Sequence, residues 1–421
     1  MPAKDVLVIG LGYVGLPLAV QAARAGFRVT GYDTRPEITG GLMAGRSHVD
    51  DVTGAEVAAM LAQGFRAVCD EAQAGTADVI VICVPTPLSV ADGPDLSAVK
   101  AATATAGRLL RPGTLVSLES TTYPGTTDEV VRPLLEKASG LSAGIGFSLA
   151  FSPERIDPGN PDYGLRNTPK IVGGVTPSCA DAAADFYGQI CDQVVRAKSA
   201  REAEMAKLLE NTYRHVNIAL VNEMAIFCRE LGVDLWDAIR CAATKPFGFQ
   251  AFYPGPGVGG HCIPIDPNYL SYKVRTLGYP FRFVELAQEI NGRMPGYVTE
   301  RAAELLNRNA QPVNGARVLL LGVTYKRDIA DQRESPARPI ARKLRRRGAA
   351  VAFHDPHVAQ WQVDDVIVPR ADDLDVALAA ADLVILLQPH EAYDVARIAG
   401  TARLLLDTRG AVPAAAHVEA L

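Results

Sequence analysis

The segment Pro254-Gly255-Pro256-Gly257-Val258-Gly259-Gly260-His261-Cys262-Ile263-Pro264-Ile265-Asp266-Pro267 sets a thiol in a glycine-dense loop, with a carboxylate four residues further on. Glycine permits positive φ and close approach of main chain to a ligand, and the flanking prolines stiffen the loop, so the thiol is presented in a fixed place. A thiol mounted in this way suits a nucleophile. The same composition also suits a tight loop around a buried, inert cysteine.

A second group of chemistry-bearing residues opens the chain. The apolar run 6–10 leads into Gly10-Leu11-Gly12-Tyr13-Val14-Gly15, a helical pattern continues through Leu18, Ala22 and Ala25, and a second apolar run, 27–32, ends at Asp33. This is G-x-G-x-x-G in a strand–turn–helix–strand setting with an acid roughly 20 residues on, the pattern that binds a dinucleotide. Gly10 permits the tight turn, Gly12 lets main chain approach a pyrophosphate, and Gly15 lets the helix pack closely with its N-terminus toward the phosphates. Asp33 can accept from a ribose 2′-hydroxyl and would repel a 2′-phosphate, which favours NAD over NADP, whereas Arg35 nearby could serve that phosphate.

These residues need elements to hold them. Strands are expected over 79–84, 115–118 and 146–151 with a helix around 96–110, which makes the first domain a doubly wound α/β unit. Its strand ends carry Pro85-Thr86, Ser120-Thr121 and Pro153-Glu154-Arg155, and ligands of such sheets lie beyond the carboxyl ends of the strands. Residues 199–231 read as one long helix with Met205, Leu208, Leu209, Val216, Leu220, Phe227 and Leu231 at helical spacing, a stripe suited to core or subunit interface. Lys207 and Asn211 stand four apart on one flank, where they could reach a common ligand or simply face solvent. A second α/β pattern follows residue 300, with strands at 317–322, 350–354, 383–387 and 404–407. It opens into Val323-Thr324-Tyr325-Lys326-Arg327-Asp328 instead of a glycine fingerprint. Lys326, Arg327, Arg333 and Arg409 offer cations near strand ends, suited to a smaller diphosphate or to surface ion pairs.

At 421 residues the chain exceeds one ordinary core, so two or three domains are expected. Hydrophobic residues make up 48% and charged residues 21%, the ordinary globular mix, and the net charge of −5 leaves no footprint for nucleic acid. The run Arg342-Lys343-Leu344-Arg345-Arg346-Arg347 before Gly348 reads as a cationic helix end, with a phosphate patch as the competing reading. No signal-peptide pattern or membrane-spanning apolar run is present, so a cytoplasmic protein without membrane contact is expected. Seven cysteines at irregular spacing fit reduced thiols, and without a Cys/His ligand ladder no metal is expected.

With the dinucleotide pattern, the run Glu202-Ala203-Glu204-Met205-Ala206-Lys207-Leu208-Leu209-Glu210-Asn211-Thr212, the loop Val258-Gly259-Gly260-His261-Cys262, and Asp328 through Arg333-Glu334-Ser335, the chain resembles the UDP-glucose/GDP-mannose dehydrogenase family over nearly its whole length. The resemblance implies an α/β protein of two Rossmann-like doubly wound domains joined by a long central helix. Its parts would be an NAD-binding domain at 1–198, a helical dimerisation and catalytic-loop domain at 199–300, and a UDP-sugar-binding domain at 301–421. It implies oxidation of C6 of a nucleotide-linked sugar from alcohol to carboxylate with two NAD. Cys262 matches the nucleophile that captures the aldehyde as a thiohemiacetal, which a second hydride transfer turns into a thioester. Lys207 and Asn211 match stabilisers of the developing oxyanion, and Asp266, Glu154 and Thr121 match the network that handles protons and water.

The same resemblance implies cofactor contacts from Gly10, Gly12, Tyr13, Val14, Gly15, Asp33, Arg35, Pro85, Thr86, Thr121 and Arg333. It implies substrate contacts from Glu154, Arg155, Lys207, Asn211, Lys245, Tyr253, Gly257, Val258, Gly259, Tyr325, Lys326 and Arg409. A homodimer or higher homo-oligomer is implied, with Lys245 the approximate match to a basic residue that reaches the neighbouring subunit's substrate. In the UDP-glucose enzymes the strand-end motif resembles Pro-Glu-Phe-Leu-Ala-Glu, whereas here it reads Ser152-Pro153-Glu154-Arg155-Ile156-Asp157-Pro158-Gly159-Asn160. Pro158 fills the second glutamate position, while Arg155 and the segment 245–253 resemble the enzymes for N-acetylated sugars. UDP-GlcNAc is therefore expected first, UDP-GalNAc second and UDP-glucose third. A two-electron dehydrogenase of the 3-hydroxyacid type shares a Rossmann domain followed by helices and a lysine, but has no use for Cys262 or the second α/β unit.

Overall fold

The computed structural model describes residues 4–88, 93–157, 159–260 and 263–421. The chain divides into two compact units, Met1–Glu210 with Asn268–Tyr279, and Asn211–Pro267 with Pro280–Leu421.

In the first unit, strands β1 (Asp5–Ile9), β2 (Arg28–Tyr32), β3 (Arg66–Val68), β4 (Val79–Ile82), β5 (Leu115–Leu118), β6 (Ser148–Phe151), β7 (Lys170–Gly174) and β8 (Val194–Arg196) form one sheet in the order β3-β2-β1-β4-β5-β6-β7-β8. Strands β1 to β6 run parallel. Helices cover both faces of such a sheet, which is why its strands read as unbroken apolar runs. Val6 and Val8 pack into one core cluster, while Leu7 and Ile9 pack into the other. The edge pair β7–β8 was not anticipated from the sequence: β7 runs antiparallel to β6, and β8 parallel to β7. That reversal brings the first residue of β7, Lys170, to the edge where β5 and β6 end.

The three fingerprint glycines differ in what the structure asks of them. Gly10 adopts φ +92°. A Cβ on Gly15 would lie 1.9 Å from the Gly10 carbonyl oxygen, but one on Gly12 would meet nothing within 4 Å.

The second unit contains β9 (Arg317–Leu321), β10 (Ala350–His354), a small hairpin of β11 (Gln362–Val363) and β12 (Val366–Ile367), then β13 (Leu383–Leu386), β14 (Leu405–Asp407) and β15 (Val418–Ala420). Its main sheet is parallel throughout, in the order β10-β9-β13-β14-β15. Val318 and Leu320 face one core cluster and Leu319 and Leu321 the other. The helix Ala337–Arg346 buries Ile340, Ala341 and Leu344 and carries Lys343, Arg345 and Arg346 in its last turn, before Gly348 at φ +87°. The basic run is therefore a cationic helix end that complements the dipole.

The long helix spans Ala200–Glu230, and Gly232 follows it at φ +67°. Of its apolar stripe only Leu208 is fully buried. Leu209 is 63% exposed, Leu220 54% and Leu231 70%, with Met205 and Phe227 also exposed. Most of the stripe is therefore not core within one chain. Among the described residues, no helix is long and apolar enough to cross a membrane.

The glycine geometry gives a paired expectation. Gly15→Ala should destabilise the first unit by about 1–3 kcal/mol, the usual cost of forcing an atom into packed structure. Gly12→Ala should unfold with the wild type but lose dinucleotide affinity. Thermal unfolding followed beside NAD titration distinguishes the two.

Candidate active site

The carboxyl edge of the first sheet gathers most of the residues expected to hold a dinucleotide. The amide of Gly10 donates to the Tyr32 carbonyl at 2.8 Å, tying the start of the turn that leads to the helix Gly15–Arg24 to the end of β2. Tyr13 and Val14 pack half-buried on the core beneath it. Asp33, at the end of β2, accepts the Leu11 amide on Oδ2 and the Arg35 amide on Oδ1, both at 3.1 Å, and the Arg35 guanidinium grips the same carboxylate at 3.2 Å. Burial opposes the charge on Asp33, but the Arg35 side chain and these two amides outweigh it and hold the carboxyl below its ordinary pKa. Arg35 is thus committed to Asp33. Pro85 is exposed and Thr86 buried just beyond β4, and the Ser120 hydroxyl ties the end of β5 to the Val84 carbonyl at 2.6 Å. An unfilled space at Gly12, a helix N-terminus and an ionised carboxylate at the end of β2 fit NAD.

Beyond β5 and β6 lie the groups suited to proton handling. Glu154 accepts the amides of Arg155 and Ile156 on Oε1, each at 2.6 Å. The Lys207 ammonium donates to the Glu154 carbonyl at 2.6 Å. Lys207 and Asn211 are 7% and 5% exposed, so the solvated-face alternative for this pair is overturned. The Arg155 guanidinium is held by Glu210 at 2.7 Å and by the Pro169 carbonyl at 2.7 Å. Thr121 sits half-buried past the end of β5. Pro158 lies outside the described residues.

Two buried acids that sequence reasoning gave no role organise this edge. Glu204 accepts from the Gly125 amide at 2.6 Å and from the Thr127 amide and hydroxyl at 2.9 and 2.7 Å, which ties the loop after Thr121 to the long helix. Burial pushes its pKa up to about 7. Glu119 pairs with Lys170 at 2.9 Å, and Lys170 also faces Glu154 at 3.5 Å. The signal available in the sequence was a lysine opening an otherwise apolar run, Lys170-Ile171-Val172.

The second unit brings together the remaining residues. Asn211 donates to Asp266 Oδ2 at 2.6 Å, and both side chains are buried. The glycine loop is pinned from its N-terminal side: the Gly255 amide donates to Asn222 at 2.9 Å, Asn222 donates to Asn291 at 2.8 Å, and Asn291 donates to the His215 carbonyl at 3.2 Å. Burial lowers the His215 pKa to about 4, so this network carries no charge at neutral pH. On its other side the loop lies against the carboxyl edge of the second sheet. A Cβ on Gly259 would stand 2.6 Å from Tyr325 Cβ, and one on Gly255 2.8 Å from the Arg409 guanidinium.

Gly257 adopts φ +132°, and the Gly260 amide donates to the Arg333 carbonyl at 3.0 Å. Val258 is half-buried between them. Arg409 donates to the Leu387 carbonyl at 2.9 Å, and desolvation lowers its pKa to about 10, leaving a full cation at neutral pH. Gln388 anchors the Tyr325 carbonyl at 2.7 Å, with Lys326 next along the same strand end. Tyr325, Lys326 and Arg409 thus share one sheet edge with the glycine loop. The Arg333 guanidinium grips Asp331. Lys245 and Tyr253 are exposed, the Lys245 ammonium lying over the Phe247 ring. His261 and Cys262 lie outside the described residues.

Asp328, His357 and His390 each place one possible ligand atom within 4.8 Å of the others. Both ring nitrogens of His390 are already engaged, Nδ1 by the Asp328 amide at 2.8 Å and Nε2 by Asp355 at 3.1 Å. The trio therefore acts as a clasp between loops.

Three descriptions of one family match in sequence along the chain. The UDP-glucose/GDP-mannose dehydrogenase family NAD binding domain matches residues 4–191, the central domain residues 201–293, and the UDP binding domain residues 319–414. A UDP-N-acetyl-D-glucosamine 6-dehydrogenase of Pseudomonas aeruginosa is 36% identical over 360 residues, covering 85% of this chain and 84% of the relative. A UDP-N-acetyl-D-mannosamine dehydrogenase of Pyrococcus horikoshii is 35% identical, covering 92% of this chain and 90% of the relative. The solved structure of a UDP-D-ManNAc dehydrogenase from Pyrococcus horikoshii superposes with a TM-score of 0.90 at 32% identity, covering 99% of this chain and 98% of that one. With a dinucleotide edge in the first unit and a cationic sheet edge beside the glycine loop in the second, the chain belongs to the UDP-glucose/GDP-mannose dehydrogenase family and is an NAD-dependent nucleotide-sugar dehydrogenase.

Proposed function

We propose that this protein oxidises C6 of a UDP-2-acetamido sugar, UDP-GlcNAc first, from primary alcohol to carboxylate, consuming two NAD and one water. The observation that carries this reading is the fixed glycine loop, held through Asn222 and Asn291 on one side and packed on Tyr325 and Arg409 on the other, which precedes Cys262 in sequence. NAD at the first unit's sheet edge supplies the hydride acceptor for both oxidations. Lys207 and Asn211 stabilise the oxyanion that develops at C6: one ammonium N–H is spent on the Glu154 carbonyl and one amide N–H on Asp266, which leaves each side chain a further donor. Asp266 keeps Asn211 oriented and takes part in moving the hydroxyl proton.

The Cys262 thiolate adds to the aldehyde carbon, so the intermediate stays on the protein as a thiohemiacetal and can surrender a second hydride to become a thioester. Glu154 aligns the water that hydrolyses this thioester, with Thr121 a further partner in that step. Tyr325, Lys326 and Arg409 hold the diphosphate and nucleoside end of the substrate, and Arg333 contributes to the cofactor site. The domain division at 198 and 300 and a cytoplasmic setting belong to the same reading. Each sugar consumed is expected to yield two NADH and no free aldehyde. Cys262→Ser should still bind cofactor and sugar but lose turnover by on the order of 10³-fold or more. One NADH per sugar with accumulating aldehyde would instead favour the two-electron class.

The substrate assignment rests on the segment around Arg155 and on the names of the relatives. Arg155, fixed by Glu210 and the Pro169 carbonyl, sets the main chain after Glu154, and an acetamido carbonyl can be read by that main chain or by the remaining guanidinium N–H groups. UDP-ManNAc, which differs at C2, is the second reading, because the Pyrococcus horikoshii relative bears that name. A site built to pair the acetamido carbonyl loses about 1–3 kcal/mol when that group is missing, or roughly 5- to 150-fold in kcat/KM for UDP-GlcNAc over UDP-glucose. NADH formation across a panel of UDP-sugars measures this ratio, and Arg155→Ala should lower it more than it lowers NAD affinity. A preference for UDP-glucose would sink the acetamido assignment.

The exposed apolar stripe of the long helix is the dimer interface in this reading, with Lys245 reaching the neighbouring subunit's substrate. Light scattering at assay concentration should report a dimer, and Leu220→Glu should shift it toward monomer. A fully active wild-type monomer would contradict the proposal.

A further inference from the structure

We propose that Lys170 is a positioning residue for Glu154, and that Glu119 sets how much of the Lys170 charge Glu154 receives. The inference rests on the reading above, in which Glu154 aligns the hydrolytic water.

Glu154 is held asymmetrically. Oε1 is saturated by two main-chain amides, whereas Oε2 is buried, accepts no hydrogen bond from the described residues, and faces the Lys170 ammonium at 3.5 Å. That oxygen keeps its acceptor capacity unspent. Lys170 is buried and donates to Glu119 Oε2 at 2.9 Å. Glu119 Oε1 accepts the Tyr187 hydroxyl at 2.5 Å, so the Ser117 hydroxyl, 2.8 Å from Tyr187, must donate in turn. Both oxygens of Glu119 are therefore acceptors, and two carboxylates share one ammonium.

Burial opposes the Lys170 charge, but Glu119 and Glu154 outweigh it and push its pKa above the usual lysine value. Burial pushes Glu119 upward, a shift that Lys170 and the Tyr187 hydroxyl oppose. The other titratable groups here are neutral at pH 7: burial raises the Cys83 thiol and the Tyr187 hydroxyl, and raises Cys191 to about 11. The remaining cations are engaged, Lys207 on the Glu154 carbonyl and Arg155 on Glu210.

This arrangement comes from strand direction. Glu119 and Glu154 follow the ends of the parallel strands β5 and β6, and Lys170 joins them because β7 runs the other way. In the hydrolysis, the water oxygen bonds to the thioester carbon and one water proton passes to Glu154. The C–S bond then breaks with its electron pair returning to Cys262, which leaves the carboxylic acid. The Lys170 ammonium stands 3.5 Å from Glu154 Oε2 and is held there by its 2.9 Å hydrogen bond to Glu119, so the two carboxylates compete for one positive charge.

Lys170→Met alone would strand Glu119 as an unpaired buried anion, so the informative variants are Glu119→Gln and the double variant Glu119→Gln/Lys170→Met, which removes both charges together. Decay of the acyl adduct on Cys262, formed from UDP-GlcNAc or from UDP-ManNAc if the wild type prefers it, is followed against pH by rapid acid quench and intact mass. Glu119→Gln should move the acid limb of the hydrolysis profile down by about one pH unit, and the double variant should move it up by about one. Unmoved limbs, or shifts in the same direction, overturn the proposal. General loss of structure lowers the rate at every pH and produces no opposed shifts. Two NADH per sugar in the wild type with unmoved limbs overturns the Lys170 assignment alone, whereas one NADH per sugar overturns the four-electron reading and this inference with it.

Discussion

A Cβ on Gly15 would sit 1.9 Å from the Gly10 carbonyl oxygen, and one on Gly259 would sit 2.6 Å from Tyr325 Cβ and 2.7 Å from the Glu334 carbonyl oxygen. Both functional edges of the protein depend on main chain running where no side chain fits. In the first unit, the close approach of Gly15 to Gly10 sets the helix N-terminus directly above the β1 turn. In the second, the same economy of volume seats the cysteine loop against the carboxyl edge of its own sheet. Such positions have low tolerance, because the neighbour in each case includes backbone that cannot rotate away.

Polar groups are buried around these edges only where they are matched. Asn222, Asn291 and His215 connect the glycine loop to two helices through neutral hydrogen bonds, which fixes the loop without burying a charge. Across the carboxyl end of β5, β6 and β7 the protein does the opposite and buries charges in contact, Lys170 between Glu119 and Glu154. Buried ion pairs gain little net stability over apolar packing, so this one fits a role in orienting a carboxylate. The long helix contributes buried polar side chains to both units, with Lys207 on the Glu154 carbonyl and, one turn later, Asn211 on Asp266.

Much of this was legible in the residues. The glycine fingerprint with Asp33, the alternation of apolar runs, and the thiol loop each express a local rule, whether positive φ, strand periodicity or capping. Such rules act over a few residues and survive in one dimension. Glu119, Lys170 and Glu204 were not legible as a system, because nothing in their sequence spacing relates them. Lys207 and Asn211 could equally have faced solvent, since helical spacing says which residues share a flank but not what covers it.

The sequence by itself determined two doubly wound α/β sheets, a dinucleotide turn and a long helix, because each follows from backbone preference and short-range patterning. Tertiary structure alone decided that β7 reverses and delivers Lys170 to the ends of β5 and β6. It also decided that Arg35 is held by Asp33 and that most of the long helix's apolar stripe stays exposed on a single chain. These outcomes depend on which strand a segment pairs with and which surface a flank meets. Both are settled by long-range burial and pairing of charge, terms that local spacing does not contain.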